Sequence, residues 1–84
     1  MIDIKKLTKD DIGKWVVYTP IAGVAECGRI KSWNKEFIFV VYKCNKEWGR
    51  FKDFTGQATD PEDLSYLDLK EHVEFAAEVI DYQS

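Results

Sequence analysis

The chain has 84 residues, enough for one small domain without disulfide or metal staples, and its 14% aromatic content supplies a bulky core. A net charge of −3 argues against general affinity for nucleic acid, which draws on a concentrated positive face. No stretch reaches the roughly 20 apolar residues of a membrane span, and no apolar signal-peptide run follows Asp3, Lys5 and Lys6, so the expected location is cytoplasmic.

In chain order, Lys6–Ile12 reads as a short helical turn, with Thr8 as cap, Asp11 as capping-box partner and Gly13 ending it. Lys14–Thr19 is the first strand, dense in β-branched and aromatic residues that put bulk on both faces. Pro20–Ala25 is a loop broken by Pro20 and Gly23. Glu26–Trp33 and Glu36–Lys43 form the second and third strands, joined by a hairpin turn at Asn34-Lys35. That turn sets a register with Gly28 and Ile30 on one face beside Phe39 and Val41. Cys27, Arg29 and Lys31 then share the other face with Ile38, Val40 and Tyr42. Gly28 would permit close backbone approach or a sharp bend. The segment Phe37 to Tyr42 has no polar residue on either side of the pleat. A strand open to water on one side alternates, so this one should be covered on both.

Asn45–Phe54 is irregular, with aromatic and basic residues interleaved around Gly49. Thr55–Thr59 is a fourth strand, Asp60 caps a turn with Pro61 in first position, and Ser65–Leu67 is the last strand. From Asp68 to Tyr82 the spacing predicts one helix, capped by Asp68 with Glu71 completing a capping box. Leu69, Val73, Ala76 and Ile80 form one apolar stripe; Phe75, Val79 and Tyr82 form a second beside it. Together they span roughly 220°, against the roughly 100° that a surface helix needs. Such a helix could cross the barrel and still offer Phe75, Val79 and Tyr82 to a second chain, including a second copy in a homodimer.

The fold expectation is therefore mainly β: a small five-stranded barrel over residues 1–67 and a C-terminal acidic α-helix over residues 68–84. Five short strands with a helical turn before the last is the layout of SH3-like barrels, the Tudor and KOW types included. Trp15-Val-Val-Tyr-Thr-Pro20, Glu26-Cys-Gly-Arg-Ile-Lys-Ser-Trp-Asn34, Phe37-Ile-Phe-Val-Val-Tyr42 and Gln57-Ala-Thr-Asp-Pro-Glu-Asp-Leu64 resemble a group of small, uncharacterised phage and prophage proteins. The resemblance covers roughly residues 6–67 and leaves out the tail. It implies a phage-type accessory protein with an SH3-like core, acting in the host cytoplasm, and brings no functional residues with it.

Charge divides unevenly. Residues 1–60 carry eleven basic and eight acidic residues; residues 61–84 carry Lys70 against seven acids, so barrel and tail should attract each other. Little here is reactive. His72 is the only histidine, Cys27 and Cys44 lack CxxC spacing, and no glycine-rich phosphate loop occurs, so neither an enzyme, a metal site nor a cofactor is expected. The best binding candidates are Trp48, Arg50, Phe51, Lys52 and Phe54, joined by Trp33 at the hairpin end. Aromatics between basic residues can stack bases or hold a peptide against an aromatic wall. They can equally plug one end of a barrel. The overall expectation is a non-catalytic module acting through protein–protein contacts that modulates a host complex. Nucleic-acid binding by a KOW/Tudor-like barrel and a homo-oligomeric scaffold are the alternatives.

Overall fold

In the computed structural model, which describes the backbone of residues 1–83 and the side chains of residues 1–79, five strands form one antiparallel sheet. They are β1 (Trp15–Tyr18), β2 (Glu26–Trp33), β3 (Ile38–Val41), β4 (Gln57–Thr59) and β5 (Leu64–Tyr66). Their order is β4-β3-β2-β1-β5, and a single helix, α1 (Ala76–Gln83), follows. The protein is mainly β, as its patterning requires.

Short 3-10 turns capped by polar side chains organise the connections. Asp3 accepts from the Lys5 N–H (3.0 Å) over Ile4–Lys6, a turn the sequence reading did not include. Thr8 and Asp11 form the expected capping box over Lys9–Asp11. Lys14 Nζ lies 2.7 Å from Asp11 Oδ1, and together with the Thr8 N–H it holds the Asp11 carboxyl below its ordinary range. Asp60 caps Pro61–Asp63 by accepting from the Glu62 N–H at 3.0 Å.

The β2–β3 register differs from the expected one. Asn34 Oδ1 accepts from both the Glu36 and the Phe37 N–H (2.8 and 2.7 Å), which widens the hairpin connection to four residues. Trp33 then pairs with Ile38, and a bulge between Ile30 and Ser32 shifts the ladder so that Ile30 pairs with Val40 and Arg29 with Val41. Ile30 therefore shares its face with Ile38 and Val40 rather than with Phe39 and Val41.

Both sides of β3 carry buried residues, although Phe39 is only half-buried and Phe37, expected to be covered with the rest of the run, is exposed. Ile38 and Val40 join Ile2, Val16, Ile30 and Leu64 in one buried cluster, and Val41 joins Cys44, Trp48 and Phe51 in another. Burying one such aliphatic side chain contributes about 1.5–3 kcal/mol, so each cluster is a substantial part of the fold's stability. Tyr42, which follows β3 and packs against the first cluster, has its Oη 2.8 Å from Thr59 Oγ1 on β4. Ile2 closes that cluster from the N-terminal side, its N–H donating to the Pro61 carbonyl at 3.0 Å. Gly28 is required where it stands. A Cβ there would lie 2.5 Å from the Val41 oxygen and 2.7 Å from Val40 Cγ1.

The tail is not one helix. Asp68 accepts from the Lys70 N–H (2.9 Å), and its own N–H donates to His72 Nδ1 (3.0 Å), which closes a separate turn. A 3-10 turn at Val73–Phe75 comes next, and α1 begins only at Ala76. Val73 is 68% exposed, so extending the helix backwards would gain no burial.

Gly28→Ala should lower stability by about 1–3 kcal/mol through overpacking against Val41 and Val40, read as a lower urea midpoint. A second substitution should act in the opposite direction. Asn45 and Lys46 have φ of 53° and 65° in a turn closed by the Glu47 N–H on the Cys44 carbonyl, a geometry that favours glycine in second place. Lys46→Gly should therefore raise stability by about 1 kcal/mol in the same assay.

Candidate functional site

Arg29 occupies the middle of β2, between Trp15 on β1 and Val41 on β3. Its Nε–H donates to the Gly13 carbonyl and its Nη1–H to the Trp48 carbonyl, each at 2.7 Å. The guanidinium carbon lies 4.3 Å from the Phe51 ring centroid and 5.5 Å from that of Trp15. Two residues further on, Lys31 Nζ donates to the Phe54 carbonyl at 2.7 Å. Two basic side chains of one strand thus hold the 3-10 stretch Trp48–Asp53 against the sheet. Gly13 makes room for this. Its φ is +92°, and a Cβ would stand 2.9 Å from Arg29 Nη2.

This arrangement decides where the expected binding residues lie. Trp48 and Phe51 are only 4% and 6% exposed, and Phe54 is half-buried against the same cluster. The Trp15 and Trp48 rings meet edge-on at 4.6 Å between centroids. Arg50 and Lys52 are exposed, and Arg50 lies between Glu47 (3.7 Å) and Asp53 (3.3 Å). The aromatic members turn inward and the basic members outward. Trp33 is not among them: it packs against the first cluster, with Tyr18, Tyr42 and Ile4.

The tail is fastened to this layer. Trp48 Nε1–H donates to Glu78 Oε2 at 2.7 Å, and Val79 is 3% exposed. Val79, a candidate for facing a second chain, is covered by its own chain, while Leu69 and Val73 of the other expected stripe are exposed. Leu69 and Val73 precede α1, so they do not share a helical face with it. Phe75 is half-buried, and the Tyr82 side chain lies outside the described residues.

Both cysteines are free and buried. Burial, then the nearby Glu78 carboxylate, pushes the Cys27 thiol up to about 11, and burial likewise raises Cys44. Such thiols are weak nucleophiles. No group of three or more His, Cys, Asp or Glu residues among the described ones is placed to hold a metal ion. No helix of the described residues is long and apolar enough to cross a membrane.

A recess of about 840 Å³ opens at the other cluster, between the N-terminal segment, the β2–β3 hairpin tip and the turn after β4. Ile2, Ile4, Trp33 and Pro61 form its less exposed lining. Asp3, Glu36, Asp60 and Glu62 stand on its rim with Lys5 and Lys35. Of the residues singled out by sequence, Trp33 alone lines it. The signal for the rest was present in the caps Asp3 and Asp60 and in Asn34, whose turn chemistry places three connections around one opening.

Two substitutions separate scaffold from surface. Arg29→Lys should destabilise by about 2–3 kcal/mol, because a point ammonium cannot serve two carbonyls and two rings at once. Arg50→Lys should change stability by less than about 0.5 kcal/mol in the same urea titration. The pH profile should carry a signature as well. Burial pushes the Cys27 thiol up to about 11 and the half-buried Tyr42 hydroxyl up to about 12 in the folded protein, above the ordinary 9.0 and 10.0. The unfolded chain ionises first, so stability should decline as pH rises from 9 towards 12, less steeply in Cys27→Ala.

Comparison with known proteins finds no matching family model, curated protein or solved structure, and the geometry alone carries the functional reading.

Proposed function

We propose that this protein is a non-catalytic binding module that acts through protein–protein contacts, a phage-type accessory that modulates a host complex. In this reading the sheet closes as an SH3-like barrel. The order β4-β3-β2-β1-β5 supports it, as does the short turn Pro61–Asp63 between the two edge strands. The observation that carries the function is the recess at Trp33, an apolar hollow rimmed by charges of both signs. Such a hollow suits an anchoring side chain and its polar flanks.

Nucleic acid fits less well. Stacking of bases needs exposed aromatic faces along a basic track, and Trp48 and Phe51 are packed into the core. Pairing of two copies is a second reading, favoured by the exposed apolar side chains of Tyr66, Leu69 and Val73 beside the tail. A monomeric mass in sedimentation at micromolar concentration would count against it.

The test is affinity capture from host lysate with wild-type protein and with Trp33→Ser, with and without nuclease, after circular dichroism shows that the variant is folded. A protein retained after nuclease and lost with Trp33→Ser is the expected result. Enrichment that disappears with nuclease would move the reading to nucleic acid.

A further inference from the structure

Three locked turns surround the recess, and each leaves a carboxylate at its rim. Asp3 caps Ile4–Lys6, Asp60 caps Pro61–Asp63, and Asn34 fixes the hairpin tip from which Glu36 projects. The Ile2 N–H on the Pro61 carbonyl joins the first two walls, and Trp33, beside Asn34, carries the third into the core cluster. The opening is therefore held in shape before anything binds, and little ordering would be lost on association. Glu36 and Glu62 are exposed, and no ion pair or hydrogen bond engages either carboxylate among the described residues. Four carboxylates face the Lys5 and Lys35 ammonium groups and the amino group of Met1, which also lines the recess, so the rim keeps a small net negative charge around the Trp33 indole.

Resting on the reading of the protein as a protein-binding module, we infer that the Trp33 recess receives an extended cationic segment of its partner. One apolar or arginine side chain lies on the indole, and flanking lysine or arginine residues face Glu36, Glu62, Asp3 and Asp60. A guanidinium over the Trp33 face gains cation–π attraction, and the flanking charges gain from a rim that repels acidic segments. A phosphate backbone meets the same rim as repulsion. Because the rim is solvent-exposed, the attraction weakens with salt.

The experiment is an amide chemical-shift titration of the full chain at low salt with three probes. The first is a capped eight-residue peptide alternating arginine and leucine; the second replaces every arginine with glutamate; the third is a thymidine oligonucleotide. The arginine peptide should shift Ile2–Lys5, Trp33–Glu36 and Asp60–Glu62. Its binding should weaken about tenfold in Glu36→Lys/Glu62→Lys. The same peptide should bind Glu71→Lys/Glu74→Lys, which alters the acidic tail instead, nearly as well as wild type. Equal shifts with the glutamate peptide would overturn the cationic assignment and leave the module reading standing. Loss of binding in the tail variant rather than the rim variant would overturn the location, as would no response to the arginine peptide. Shifts in the recess with the oligonucleotide alone would overturn both the inference and the module reading.

Discussion

Arg29 is the constraint on which the outer half of the molecule depends. Without it the 3-10 stretch Trp48–Asp53 would keep only the Lys31 bond at its far end and apolar contact with the sheet, and two carbonyls, of Gly13 and Trp48, would lose their charged donor. Charge-assisted hydrogen bonds are about twice as strong as neutral ones, and the planar guanidinium also lies within cation–π reach of the Phe51 and Trp15 rings. Its position explains neighbouring choices. Gly13 has no Cβ because the guanidinium lies beside it, and Trp48 is oriented so that its indole N–H reaches Glu78 on α1. One side chain on one strand thus orders a second hydrophobic layer, and that layer fastens the tail.

This architecture sorts the aromatic residues by role. Trp15, Trp48, Phe51 and Phe54 serve the outer layer, and their basic neighbours Arg50 and Lys52 are left at the surface without an aromatic partner from that set. Trp33 belongs to the other cluster and keeps one side at the recess. The tail is used in the same economical way. Glu78, one of the acids that would otherwise only add to the net charge, accepts from an indole, and Val79 is buried.

Much of the fold is legible in the sequence because the signals are local. β2 begins and ends where its patterning says, Thr8 with Asp11 and Asp60 with Pro61 cap the turns they should, and Ile38, Val40 and Val41 of the apolar run are buried, in clusters on both sides of the sheet. The failures come where one side chain chooses between local geometries. Asn34 turns its oxygen onto two backbone N–H groups instead of serving a two-residue turn, and the bulge beyond Ile30 then moves the side chains of β3 to the opposite face relative to Arg29 and Ile30. His72 accepts the Asp68 N–H and ends the expected helix before it starts. The candidate site was legible only in Trp33. The segment around Trp48 looks like a binding loop because aromatic and basic residues alternate in it, and nothing local reveals that Arg29, nineteen residues away in sequence, claims its carbonyl.

The central claim is that Trp48 belongs to the interior and Trp33 to the working surface. Fluorine NMR of protein labelled with 5-fluorotryptophan, titrated with a soluble gadolinium chelate, tests it directly across Trp15, Trp33 and Trp48. The account predicts that the Trp33 resonance broadens early and the Trp48 resonance broadens least of the three. Broadening of Trp48 to the same extent as Trp33 would contradict it, and would place the aromatic stretch back among the surfaces open to a partner.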